Sequence, residues 1–312
     1  MAAELSALKG LDFLSSADLN GAQTQALLTL AADIKAGRRN PRLDGKVLGL
    51  IFSKASTRTR VSFTVAMARL GGQTIDLNPS VSQVGRGEPI EDTARVLSRY
   101  LNAVAIRTFA QSDLQAYADA ASIPIINALT DLEHPCQALA DYLTMQEAFG
   151  SLEGLTMTYV GDGNNVAHSL LIAGALLGVN VRIGCPAGFY PLEEVVAQAK
   201  AIAAGRSEIV ISEDPAEAVR GAHAVYTDVW ASMGQEEEQS TRVQAFRGFC
   251  VDEALMSHAD AKAIVLHCLP AHRGEEISAE VMESSASRIF DQAENRLHAQ
   301  QALLATLLGA EG

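Results

Sequence analysis

Cysteine and positive charge are both scarce in this chain of 312 residues. The four cysteines, Cys136, Cys185, Cys250 and Cys268, stand far apart and form no CxxC pair. Such spacing offers neither a zinc signature nor a disulfide framework, and it suits a reducing cytoplasm. Lysine and arginine number 24 against 37 aspartates and glutamates, for a formal net charge of −13. A general nucleic-acid binder needs a basic face to neutralise phosphates, so that class is set aside. A small anionic ligand is not excluded, because a local group of arginines can invert the field inside one pocket. No segment approaches the roughly 20 consecutive apolar residues that span a membrane. The opening MAAELSALKGLDFLSS lacks the basic segment and apolar stretch of a secretory leader. The expectation is a cytoplasmic protein with no membrane or nucleic-acid partner. Internal repeats and low-complexity tracts are also missing.

What is present is the rhythm of an α/β protein. The hydrophobic share of 48% and charged share of 20% describe a folded chain, and its length fits two domains of ordinary size. Apolar runs read as strands at 46–53, 103–108 and 123–128, with helical segments between them. Pro89 and Pro135 stand where a helix starts, a position at which the missing N–H costs nothing. A second series follows Gly150, with strands at 155–161, 179–184, 208–211, 223–227 and 263–268 separated by helices and one polar loop, 228–241. Alternating strands and helices predict two doubly wound parallel-sheet domains. Their boundary is expected in the 135–150 helix, dividing 1–145 from 146–290, with a final helix at about 291–312 packed back on the first domain.

Ligands of open parallel sheets sit beyond the carboxyl ends of the strands. In the first half those positions carry Ser56, Thr57, Arg58 and Thr59, then Arg107, then His134 and Gln137. In the second they carry Asn165, Asp228 and Cys268. If the two halves face each other, both sets line one cleft. A helix beginning near Ser56 offers free N–H groups and the positive end of its dipole, and Arg58 adds a fork suited to phosphate oxygens. The plainer reading is N-capping by Ser or Thr, but STRTR after an apolar strand, with Arg107 ending another, favours an anion site. His134 taken alone reads as a core or capping histidine; with Gln137 one turn later, both can point into one opening. Gln83, in SVSQVGRGE, is a weaker candidate whose plainer reading is loop solvation. Gly161 and Gly163 end a strand and open a helix in YVGDGNNVAHS. The third glycine and the later acidic residue of a dinucleotide site are missing, so that reading is rejected.

Six motifs in order, FSKASTRTR, HPCQ, GDGNN, DVWASMGQE, HCLP and ENR, resemble the aspartate/ornithine carbamoyltransferase family, and most closely its ornithine-using branch. The resemblance runs from about residue 45 to the C-terminus. It implies an N-terminal carbamoyl-phosphate domain, a C-terminal amino-acid domain with the active site in the cleft between them, and a homotrimer. It also implies no metal or organic cofactor. Matched residue by residue, Ser56, Thr57, Arg58, Thr59, Gln83 and Arg107 would hold the phosphate. Arg107, His134, Gln137 and Arg296 would hold the carbamoyl group. Asn165, Asp228, Ser232 and Met233 would hold ornithine, with Cys268 and Leu269 lying between the two substrates. Arg58, Arg107, His134 and Cys268 are the catalytic candidates. Arg60 and Arg86 receive no role.

The implied reaction is attack by the δ-amine of ornithine on the carbonyl of carbamoyl phosphate, giving citrulline and phosphate. The SMGQEEE stretch would close over ornithine, although a solvated acidic loop is the plainer reading. Two other acceptors were weighed. Aspartate would require a cation in the second half, where Asp228 and Asn165 instead suit an amine; HCLP also differs from the HPLP usual in aspartate enzymes. A simple diamine such as putrescine is opposed mainly by the SMG motif. A non-catalytic binding protein of the same fold would be expected to lose Arg58, Arg107, His134 or Cys268, and all four are present. The assembly implied is a homotrimer or a multiple of trimers.

Overall fold

The computed structural model describes residues 2–54, 56–78, 87–231 and 239–310. Gln83, Arg86 and the whole SMGQEEE stretch, with Ser232 and Met233, therefore lie outside the described residues. The chain divides into two compact units, Met1–Ala140 with Arg296–Gly312, and Asp141–Asn295.

The first unit is built on strands β1 (Val47–Phe52), β2 (Gln73–Asp76), β3 (Ala103–Arg107) and β4 (Ile125–Leu129), paired in parallel in the order β2-β1-β3-β4. The runs VLGLIF, AVAIR and IINAL are buried nearly throughout, as strands covered on both faces must be. β2 reads QTID and is largely exposed. This edge strand is left exposed, so nothing demands an apolar run, and sequence reading passed over it. The accompanying helices are α1 (Ala2–Ser6), α2 (Gly21–Lys35), α3 (Thr57–Arg69), α4 (Ile90–Leu97), α5 (Gln111–Ala120) and the start of α6 (Pro135–Phe149). Ile51, Val104, Ile106, Leu114, Tyr117 and Ile125 form part of the core between sheet and helices.

The second unit has five parallel strands: β5 (Thr156–Val160), β6 (Asn180–Gly184), β7 (Ile209–Ser212), β8 (Ala224–Thr227) and β9 (Ile264–His267), in the order β7-β6-β5-β8-β9. Its helices are α7 (Asn165–Leu177), α8 (Glu193–Ala203), α9 (Pro215–Val219), α10 (Gln239–Ala245), α11 (Glu253–Met256), α12 (Ala279–Met282) and the first turns of α13 (Ile289–Leu307). α7 is buried from Val166 to Leu177, which explains why its sequence is apolar all round rather than striped. Trp230 stacks on Phe246 with ring centroids 5.6 Å apart, and Phe189 meets Phe246 edge-on at 4.8 Å.

Strand order locates the functional positions. In the first sheet the chain starts at β1 and leaves on opposite sides toward β2 and β3, so the switch point lies between β1 and β3. In the second it lies between β5 and β8. Helices from adjoining strands diverge at such points and leave a crevice at the carboxyl edge. Ser56–Thr59 follow β1 and Arg107 ends β3; Asn164 and Asn165 follow β5 and Asp228 follows β8.

Candidate active site

The carboxyl end of the first sheet gathers cations around one histidine. Ser56 caps α3, its hydroxyl oxygen accepting the Thr59 N–H at 3.2 Å, so the capping reading and the anion reading share this residue. Thr57 and Arg58 are exposed on the first turn, whereas Thr59 is wholly buried. The buried Thr59 hydroxyl accepts from Arg296 Nη2 at 2.7 Å, joining the helix that begins at residue 57 to the one that ends the chain. Arg107 is buried at the end of β3, where the ladder to β4 slips between Ile106 and Arg107. A slip of this kind bends the strand and re-aims the side chain. His134 and Gln137 are buried at the start of α6. The His134 imidazole is held well below its ordinary pKa, first by burial and then by the positive fields of Arg296, Arg107 and Arg58. Three arginines that lie far apart in sequence therefore act on one ring. The neighbouring cations have structural partners: Arg60 pairs with Asp76 and covers the Phe52 ring, and Lys54 bonds Asp131 at 2.5 Å over Phe109. Arg60, to which the sequence assigns no role, makes an ion pair.

The carboxyl end of the second sheet assembles around Asp228, which is buried. Its Oδ1 accepts the Cys268 thiol at 3.0 Å and the Val229 N–H at 2.8 Å, and its Oδ2 accepts Asn164 Nδ2 at 3.1 Å. Asn164 also caps α7 by accepting from Val166 and Ala167 N–H groups. Sequence reading named Asn165, the first residue of α7; the contact to Asp228 comes from its neighbour. Burial, the Asp228 charge and the bond to Asp228 push the Cys268 thiol well above its usual range, while the Tyr226 hydroxyl beside it pulls the other way. Cys268 is a hydrogen-bond donor here, not a thiolate nucleophile.

Leu269 follows with φ of 61°, a left-handed conformation that costs a non-glycine residue about 1–3 kcal/mol. Its N–H donates to His267 Nδ1 at 2.9 Å, which leaves His267 Nε2 as the N–H donating to Glu276 at 3.0 Å. His267 and Glu276 are both fully buried. His267 N–H donates in turn to Gln292 Oε1, and Gln292 Nε2 donates to Asp141 at 2.6 Å. The histidine of HCLP thus works as a support beneath Cys268 and Leu269. Sequence reading missed Asn164, Tyr226, Glu276 and Gln292, and only the first lay inside a recognised motif.

Among the described residues, Asp228, His267 and Cys268 form one group with ligand atoms close enough to surround a cation, and His272, Glu275 and Glu276 form another. In the first, both His267 nitrogens and the Cys268 thiol already make hydrogen bonds. In the second, Glu276 Oε1 serves His267 and the His272 N–H. The first donor set is committed to the hydrogen-bond network.

Two family models match in succession. Residues 11–147 match the carbamoyl-phosphate-binding domain of aspartate/ornithine carbamoyltransferase, and residues 153–307 match its aspartate/ornithine-binding domain. The chain belongs to the aspartate/ornithine carbamoyltransferase family. An ornithine carbamoyltransferase of Parasynechococcus marenigrum is 71% identical over 309 residues, covering 99% of this chain and 97% of that protein. One from Prochlorococcus marinus (strain MIT 9313) is 69% identical over the same length, with the same coverage. Among solved structures, the ornithine carbamoyltransferase of Pyrococcus furiosus is 48% identical, with a TM-score of 0.94 covering 98% of this chain and 99% of that one. That of Gloeobacter violaceus is 57% identical, with a TM-score of 0.88, covering 96% of this chain and 98% of its own.

Proposed function

We propose that this protein is an ornithine carbamoyltransferase, moving the carbamoyl group of carbamoyl phosphate to the δ-amine of L-ornithine with release of citrulline and phosphate. The observation that carries the reading is the group of three guanidiniums around a neutral His134 at the β1/β3 switch point. The relatives' shared designation supports the choice of acceptor.

In this reading Ser56, Thr57, Arg58 and Thr59, with Gln83 and Arg107, take the phosphate. Arg107, His134, Gln137 and Arg296 take the carbamoyl group. A carbonyl under attack gathers negative charge on oxygen, and preorganised donors aimed at that oxygen lower the barrier. An uncharged imidazole still carries one N–H to donate, and the guanidiniums supply the field. At the carboxyl end of the second sheet Asp228, with Asn165, Ser232, Met233 and Cys268, receives the amino acid, and Leu269 completes the HCLP turn beside it. The amine must be neutral to attack, and an alkylamine like that of lysine is mostly protonated near neutral pH. Asp228 attracts the ammonium form, which gives one proton to solvent before attack; the departing phosphate is a natural acceptor for the second proton, released from nitrogen as the C–N bond forms. No metal or organic cofactor enters the scheme. We further propose a cytoplasmic homotrimer.

Purified protein given carbamoyl phosphate should make citrulline from ornithine far faster than it carbamoylates putrescine or aspartate. A reversed preference would sink the assignment. Arg58→Ala should retain the fold and lower turnover on the order of 10²–10³-fold, as loss of one oxyanion donor does elsewhere. Unchanged turnover would remove Arg58 from the site.

A further inference from the structure

His134 sits in a short connection between β4 and α6, followed at once by Pro135, which has no N–H with which to tether it. The anchoring comes from an unexpected quarter. Residues 12–18 run along the free edge of β4: Phe13 N–H donates to Ile125 O and Asn127 N–H to Phe13 O, each at 2.8 Å. Asp12 Oδ1 takes the Ile125 N–H at 2.7 Å, and Asn127 Nδ2 donates to Leu14 O at 2.8 Å. The strap ends in a tightly capped turn, where Asp18 Oδ2 accepts the N–H groups of Leu14 and Ser15 at 2.7 and 2.9 Å. That turn presents the Ser15 hydroxyl and the Ser16 N–H to the carboxylate of Glu133, the residue immediately before His134.

Glu133 is only 2% exposed. Its Oε2 accepts the Ser16 N–H at 3.1 Å and its Oε1 accepts the Ser15 hydroxyl. Its backbone is fixed as well: Glu133 N–H donates to Thr130 Oγ1 at 3.2 Å, and Thr130 N–H to Glu133 O at 2.9 Å. Thr130 Oγ1 then donates to Gln111 Oε1 at 2.6 Å, and Gln111 Nε2 donates to Leu14 O at 3.3 Å. The circuit closes on the strap where it began. A buried carboxylate is costly and is tolerated where hydrogen bonds satisfy both oxygens. Here the Ser15 and Ser16 donors come from a segment that supplies no candidate site residue.

We propose that Glu133 is a positioning residue for carbamoyl transfer, using the strap at 12–18 as a fixed point to place His134 and Gln137. The proposal rests on the function proposed above. Misplacing a reacting or stabilising group by about 1 Å can cost on the order of 100-fold in rate, and a pinned five-residue connection prevents such drift.

The test uses the full chain with Ser15→Ala, Ser15→Thr and Glu133→Gln. Ser15→Ala removes one donor to the carboxylate, Ser15→Thr keeps the hydroxyl, and Glu133→Gln puts an amide NH₂ against a donor. Ser15→Ala and Glu133→Gln should lower kcat by about 10- to 100-fold and weaken carbamoyl phosphate, leaving the KM for ornithine near its original value. Ser15→Thr should restore most of the activity. If Ser15→Ala and Glu133→Gln lower the melting temperature but keep the parental kcat and carbamoyl phosphate affinity, the contact is a structural clasp and the proposal is wrong. Should Glu133→Gln fail to fold, the Ser15→Ala and Ser15→Thr pair decides alone. Calorimetric binding of carbamoyl phosphate without any amine separates this from the choice of acceptor. Weakened binding in Ser15→Ala that recovers in Ser15→Thr supports positioning even if ornithine is not the acceptor, and equal binding in all variants overturns it.

Discussion

Burial and three neighbouring guanidiniums settle the ionisation of His134, and the same forces give a stability signature. The folded imidazole has its pKa well below 6.5, the ordinary value that it regains on unfolding. Below about pH 6.5 the unfolded chain therefore binds a proton that the folded chain refuses, and stability falls as pH drops. Urea unfolding from about pH 7.5 to about pH 5.5 should show the parent losing stability more steeply than His134→Gln. A constant difference between the two would contradict the neutral, buried ring. Cys268 offers the opposite case, a thiol kept protonated by burial and by Asp228. Asp228→Asn removes that charge, lowers the thiol pKa and should speed iodoacetamide labelling of Cys268, read by peptide mass spectrometry. Equal labelling rates would mean that Asp228 does not govern the thiol.

At the scale of elements, the turns after β5 and β8 are held by buried polar groups. Arg242, on α10, donates to Asp162 at 2.7 Å and to Trp230 O at 2.9 Å, and lies over the Phe189 ring. It ties the GDGNN turn to the residues just after Asp228. Arg242→Ala would take its buried ion-pair partner from Asp162, a loss of about 3–5 kcal/mol by the measure of other broken buried pairs. Urea unfolding checks this, and a loss below about 1 kcal/mol, the range of an exposed pair, would contradict it. The glycines of the same turn show where sequence reading ran out. Their pattern excluded a dinucleotide site but gave no reason for Gly163. A Cβ there would lie 2.1 Å from the Pro191 nitrogen, so packing against the 189–191 segment demands glycine. Strands made of continuous apolar runs were legible to within a residue or two, because burial on both faces leaves a plain signal. β2 was not, since an exposed edge strand is specified by its neighbour.

For the molecule as a whole, two doubly wound parallel sheets were legible because strand–helix alternation allows few other solutions. The residues placed after those strands were legible too, as a consequence of where parallel sheets bind ligands. What joins them was not. Ser15 and Glu133 are 118 residues apart, and Thr59 and Arg296 are 237 apart. No local pattern encodes contacts of that span. The arginine-rich, histidine-bearing edge of one sheet suits a phosphoanhydride, and the acidic, thiol-bearing edge of the other suits an amine. Joining those two substrates takes one new C–N bond. Its formation is tested most directly by NMR of the product made from ¹³C-labelled carbamoyl phosphate and δ-¹⁵N-ornithine. The account predicts a one-bond ¹³C–¹⁵N coupling in citrulline, with one phosphate released per citrulline formed. Label recovered as bicarbonate or cyanate, with no coupled product, would contradict it.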